Sequence, residues 1–164
     1  MEDYVVTIKT KAYGEIQVAE DSYIHFKREI LGFENYHYYY LIEMRDLPTF
    51  YWLQSREEPD LAFIVVNPRL FKPDYMLSID DIDRDLLEID ENDEIIDFAI
   101  VNIPEDINKM TMNLLGPIVI NTTKRIAIQA ISLNNDYGTK VSLFNPDKEV
   151  YAEQDRNEET AKNI

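Results

Sequence analysis

Thirty-two carboxylates, two histidines and no cysteine bound the chemistry this chain could attempt. Asp81, Asp83 and Asp85 recur at every second residue, the spacing that opens an EF-hand loop. Such a loop then needs Gly at its sixth position for the turn and Glu at its twelfth for bidentate ligation. Leu86 and Asn92 stand there instead, so the run reads as the solvated face of a short capped helix. His25 and His37 each lack a second His four residues on, and read as ordinary partly buried or surface histidines. No GxSxG elbow is present, and Gly14, Gly32, Gly116 and Gly138 are too scattered for a phosphate-cradling loop. Without Cys there is no disulfide, thiolate zinc site or cysteine nucleophile. The sequence assigns no catalytic residue, metal ligand or cofactor, and points to binding over catalysis.

Charge says what could be bound. Sixteen basic residues against thirty-two acidic give a formal charge of −16, a field that repels phosphate backbones and anionic membranes and favours a basic partner. The same charge also serves plain solubility. The start, Met1-Glu2-Asp3-Tyr4, is acidic where a secretory signal is basic, and Leu61–Val66 is far short of the roughly 20 apolar residues of a membrane span. The expectation is a cytoplasmic protein touching neither nucleic acid nor membrane.

Short strands separated by turn signals must position these groups. Val6, Ile8 and Thr10 alternate with Val5, Thr7 and Lys9; Tyr13-Gly14 turns the chain, and Glu15–Val18 returns as a hairpin partner. Further strand candidates are Tyr23–Phe26, Tyr38–Glu43, Phe50–Gln54, Leu61–Val66, Tyr75–Leu77, Ile95–Val101, Ile118–Asn121 and Ile126–Ile131. Ser78 is placed to cap a helical piece carrying Ile79, Ile82 and Leu86 on one face, and Pro104–Lys109 suits a second helical turn. This predicts a mainly β, compact, antiparallel barrel-like domain over residues 1–144 with one or two short helical turns. A polar, disordered tail is expected over 145–164. Within the run Tyr36-His37-Tyr38-Tyr39-Tyr40, alternation puts Tyr36, Tyr38 and Tyr40 on one face and His37 with Tyr39 on the other. Either one face is core and the other is shielded, or the rings form part of a protein-binding patch.

Particular strings carry a resemblance. Trp52-Leu53-Gln54-Ser55, then Pro59-Asp60-Leu61-Ala62-Phe63-Ile64-Val65-Val66-Asn67-Pro68 and Pro73-Asp74-Tyr75, closely resemble the FliW family of flagellar assembly factors. Val101-Asn102-Ile103-Pro104-Glu105-Asp106 and Thr111–Asn121 resemble its other signatures, in the family's order. The segment Phe26–Glu34 departs by losing a Pro and a Gly before Leu31-Gly32-Phe33-Glu34, and Gly116 stands where Ala is common. The resemblance implies a β-barrel-like fold and two mutually exclusive protein partners. One is flagellin; the other is the RNA-binding regulator CsrA, bound and allosterically antagonised once flagellin has left.

Trp52, Tyr75, Leu61, Phe63 and Val65 are expected in the core, the last three on one strand face. Asn113 and Asn121 are expected to satisfy turn backbone. Gln54, Glu57, Glu58, Asp60 and Asp74, as polar groups near the tryptophan signature, are the expected partner contacts. Two rival readings stand beside this one: an acidic decoy competing directly with RNA for a basic regulator, and a small metal-assisted hydrolase.

Overall fold

In the computed structural model, which describes residues 4–147, the first alternating run forms the hairpin β1 (Val5–Thr10) and β2 (Gly14–Ala19). Thr10 closes its turn: its hydroxyl donates to the Gly14 carbonyl at 2.8 Å and accepts from the Tyr13 N–H at 3.0 Å. Gly14 sits at φ +64°, where a side chain is disfavoured.

The remaining strands are β3 (Ile24–Arg28), β4 (Tyr38–Glu43), β5 (Phe50–Ser55), β6 (Ala62–Val66), β7 (Ile95–Asn102), β8 (Thr111–Asn121), β9 (Ile126–Gln129) and β10 (Val141–Ser142). β3 to β8 run antiparallel in sequence order, and β9 pairs with both β8 and, in parallel, β3. That last pairing closes a barrel of seven strands and leaves it no free edge. Its interior takes alternate residues from every strand, among them Phe26, Tyr39, Leu53, Val65, Phe98, Ile118, Ile120 and Ala127.

Two apolar patches on the outer wall are covered as well. The segment after β6 and the stretch around β10 pack Tyr75, Phe71, Tyr137 and Leu143 on Val66, Val101, Met112 and Leu114. The short helix α1 (Asp81–Leu86) and the residues after it bring Leu86, Leu87 and Ile89 onto Val119, Ile128 and Ala130. Strands covered on both faces read as near-continuous apolar runs, which explains Ala62–Val66 and Ile118–Ile120.

Several expectations are corrected. Tyr75–Leu77 is a loop, its tyrosine buried without joining a ladder. β8 begins at Thr111, seven residues earlier than expected, because Gly116-Pro117 interrupts the strand without ending it. The ladder with β7 runs through Asn113, resumes at Ile118, and skips the four residues between them, the glycine and the proline included. Asp80, not Ser78, caps α1, accepting the Asp83 N–H at 2.8 Å. The helix consequently turns Asp83 inward and leaves Ile82 exposed. The helical turn expected over Pro104–Lys109 is present but shorter, a 3-10 turn over Ile107–Lys109 capped by Asp106 and not by Pro104 at its start. Trp52 is half-buried on the outer wall with its indole N–H toward the Tyr13 hydroxyl at 3.3 Å, and Leu61 is half-buried ahead of its strand. Phe63 and Val65 do face the interior. Of the tail expected over 145–164, residues 148–164 lie outside the described residues.

Candidate functional site: an acidic turn beside an aromatic patch

The end of β5 and the turn joining it to β6 hold four of the five expected contact residues, and the structure divides them. Gln54 is 1% exposed and is a strut. Its carbonyl accepts the Lys11 N–H at 2.9 Å, and its amide donates to the carbonyls of Ser55, Pro59 and Leu61 at 3.0, 3.0 and 3.2 Å. One side chain thus ties the β1–β2 hairpin to the β5–β6 turn and fixes the turn's shape. A partner cannot reach it. The expectation fails because the β1–β2 turn, forty-three residues earlier, lies over this face of β5.

Glu57 is exposed, but its two carboxylate oxygens accept the N–H groups of His37 and Tyr38, each at 2.8 Å. It pins the start of β4 to the turn, and its charge still faces solvent. Glu58 is half-buried and Asp60 exposed. They project from a turn held by Ser55, whose hydroxyl accepts the Glu58 N–H at 3.0 Å. Asp74 is exposed and pairs with Lys72 at 3.2 Å. It lies in the loop beyond the end of β6 opposite to the β5–β6 turn. The structure therefore brings Glu57, Glu58 and Asp60 together and leaves Asp74 out.

The aromatic run resolves against simple alternation. Tyr39 fills the barrel interior, and Tyr40 is buried. Tyr36 precedes the strand in a turn, its N–H donating to the Phe33 carbonyl, and packs on the interior cluster. Tyr38 remains at the surface, where the His25 ring stacks on it at 4.9 Å and Tyr23 meets it edge-on at 5.7 Å. The Arg56 guanidinium lies over both tyrosines, 4.8 Å from the Tyr23 ring and 5.7 Å from that of Tyr38. Burial, then the nearby Lys27, pushes the His25 imidazole below its ordinary range, which keeps it neutral at pH 7. Here a cluster of aromatic rings adjoins the turn that carries Glu57, Glu58 and Asp60. Tyr23 and Arg56 were not singled out from sequence, since nothing local shows that residues 23, 38 and 56 converge.

The spaced aspartates do not converge. Asp83 pairs with Arg28 at 2.6 Å beneath α1, whereas Asp81 and Asp85 face solvent. Among the described residues no group of three His, Asp or Glu side chains is arranged to hold a metal ion, and no helix is long and apolar enough to cross a membrane.

Known proteins match this arrangement along nearly its whole length. The family profile described as "FliW protein" matches residues 7–143. The chain belongs to the FliW family. It is 40% identical to the flagellar assembly factor FliW of Caldanaerobacter subterraneus subsp. tengcongensis, over 88% of this chain and 97% of that one. It is 38% identical to that of Treponema denticola, over 84% and 92%. A crystal structure of the flagellar assembly factor FliW superposes with a TM-score of 0.80 at 32% identity, covering 87% of this chain and 99% of that one.

The FliW signatures now have physical roles. Trp52–Ser55 lies within β5, whose outer face carries the hairpin and whose inner face supplies Leu53. Asn67 caps the 3-10 turn Pro68–Leu70, accepting the Arg69 N–H. Asn113 accepts the Gly116 N–H at 2.8 Å. Asn121, fully buried, donates to the Leu87 carbonyl and to Asp93 and accepts the Lys124 N–H. Both asparagines satisfy turn backbone, as their positions beside an apolar run implied.

Proposed function

We propose that this FliW-family protein is a flagellar assembly factor that works in the cytoplasm by holding protein partners, with no catalytic step. It binds flagellin; when flagellin is exported, the freed protein binds CsrA and allosterically relieves its repression of flagellin synthesis. The observation that carries this reading is the match to flagellar assembly factors over almost the full length of both chains. The charge of −16 supports it from a second direction, since an RNA-binding regulator presents a basic surface and an acidic partner is steered to it. Within the candidate site, Glu57, Glu58 and Asp60 are the acids offered to CsrA, with the Tyr38 patch as the apolar platform beside them.

The test is a pair of titrations with purified flagellin and purified CsrA, each then repeated in the presence of the other. Each partner should bind alone and exclude the other. Raising salt should weaken CsrA binding more than flagellin binding, because screening acts on the charge-steered association. RNA bound to CsrA should coexist transiently with this protein, whereas a charge decoy would compete with RNA directly. Binding of neither partner at micromolar concentration would remove the proposal.

A further inference from the structure

Closure gives the barrel no edge strand, yet its wall is notched where β6 stops short. β6 ends at Val66, which pairs with Phe50 of β5 on one side and Ala99 of β7 on the other. β7 extends beyond that pairing through Ile95–Phe98, with β8 along one edge and, among the described residues, no strand along the other. Successive residues of an antiparallel strand turn their N–H and C=O groups to opposite edges, so alternate residues of this stretch present both groups to the notch. Neighbouring strands lie about 4.8 Å apart, and the loss of one leaves a gap of about 10 Å, which a single extended chain fills. The gap is a groove of about 620 Å³ running between Pro48-Thr49, at the end of the β4–β5 turn, and Ile95–Phe98.

The two sides of the groove ask for different groups. Toward the barrel interior the rings of Tyr51 and Phe98, edge-on at 5.4 Å, form an apolar floor with Ile96. Alternation turns Asp97 the other way, onto the outer wall, where Arg69 holds its Oδ1 at 2.9 Å. The Asp97 side chain is 9% exposed, and its Oδ2 has no hydrogen-bond partner among the described residues. The enclosed Tyr75 hydroxyl does not supply one, being itself without a partner there. An enclosed carboxylate oxygen without a donor is costly, and this one lines the place where a strand is missing. Charge selects the donor. Arg69 already balances Asp97, so a neutral hydroxyl completes the pair, whereas an ammonium would set an unbalanced like charge beside the guanidinium. Threonine adds to its hydroxyl a β-branched preference for extended backbone.

We infer that the notch takes an extended peptide segment of a partner protein, which adds as a strand to the open edge of Ile95–Phe98 and sets a threonine or serine hydroxyl against Asp97 Oδ2. The residues on either side of that hydroxyl are apolar and turn inward onto Tyr51, Ile96 and Phe98. The inference does not rest on the proposed function. It uses neither the acidic turn nor the net charge, and the notch lies at the end of β6 opposite to that turn.

The probe is the peptide acetyl-Gly-Ile-Thr-Ile-Gly-amide, titrated into the full chain and followed by amide NMR. It should give saturable shifts centred on Ile95–Phe98 and slow hydrogen exchange at the edge amides of that stretch. Exchanging the peptide threonine for valine removes the donor at constant shape and should weaken binding about tenfold. Exchanging it for lysine should weaken binding as well, and N-methylation of the peptide amides should abolish it. In the protein, Thr49→Trp fills the mouth of the groove from an exposed position, and should keep the wild-type thermal midpoint while losing the peptide. No saturable shift at millimolar peptide, equal affinity for the threonine and valine peptides, tighter binding of the lysine peptide, or undiminished binding by Thr49→Trp would each overturn the inference. None of these readouts involves flagellin or CsrA, so such a failure leaves the proposed function standing.

Discussion

Replacing Gln54 by alanine separates a strut from a contact. The side chain is fully enclosed and satisfies one backbone N–H and three backbone carbonyls. Truncation opens a cavity the size of an amide and one methylene, and it strips the Pro59 carbonyl of its donor, while the Leu61 carbonyl keeps the Ser55 N–H at 2.9 Å. A buried carbonyl left unpaired costs about 1–3 kcal/mol, but the turn is partly open to water, so the low end applies to Pro59. The Lys11 N–H is at an exposed residue and rehydrates cheaply. The sum is about 2–4 kcal/mol including the cavity. At about 2–4 °C per kcal/mol for a chain of this length, the thermal midpoint should fall by about 5–15 °C. Gln54→Glu should be worse at pH 7, because its carboxylate would face the same three carbonyls with no proton to offer. Circular dichroism melts of the two variants beside wild type, with CsrA binding measured well below each midpoint, read both effects. A Gln54→Ala protein within about 0.5 kcal/mol of wild type that had lost partner binding would refute the assignment as a strut.

The same turn should split by residue. Glu57→Ala, which unpins the His37 and Tyr38 N–H groups, should cost about 1–2 kcal/mol in chemical denaturation, whereas Glu58→Ala and Asp60→Ala should stay within about 0.5 kcal/mol. The double variant of Glu58 and Asp60 should slow CsrA association at low salt, and stopped-flow rates unchanged at every salt would place that contact elsewhere. Asp93 is held down to about 2 by the Asp90 N–H, then by Asn121 and Lys124. A depressed folded pKa means the stabilisation is present above the ordinary value near 4 and is lost as pH falls through about 2. The stability gap between wild type and Asp93→Asn should therefore be full at pH 7 and should narrow between pH 4 and 2, and a gap constant over that window would contradict the linkage. Arg28→Ala leaves the Asp83 carboxylate enclosed and should cost about 1–3 kcal/mol, discounted because the guanidinium is partly solvated. Calorimetry should show no saturable calcium site in wild type; micromolar binding abolished by Asp83→Ala would revive a metal-assisted reading.

Much of the barrel was legible in the sequence because it rests on local rules. Alternation placed the β1–β2 hairpin and its Tyr13-Gly14 turn, and β-branched and aromatic runs marked β4 to β7 within a residue or two. The ordered signatures resemble those of the family. The misses share a physical cause: each depended on what lies across space. Gly116-Pro117 carries a turn's composition, but β8 continues through it because β7 pairs with both halves. Tyr75 reads as a strand residue and is instead a plug on the outer wall. Ser78 and Asp80 are equally good caps locally, and the pairing of Asp83 with Arg28, fifty-five residues away, favours the register that Asp80 begins. Gln54 shows the limit most sharply. Its residue type and its neighbours Glu57, Glu58 and Asp60 suggested surface, and only the folding of an earlier hairpin over β5 buried it. Sequence by itself determined which residues prefer strands, turns and water. Tertiary structure decided which polar groups remain available to a partner, because burial belongs to pairs of distant segments and a single chain position carries no record of what will cover it.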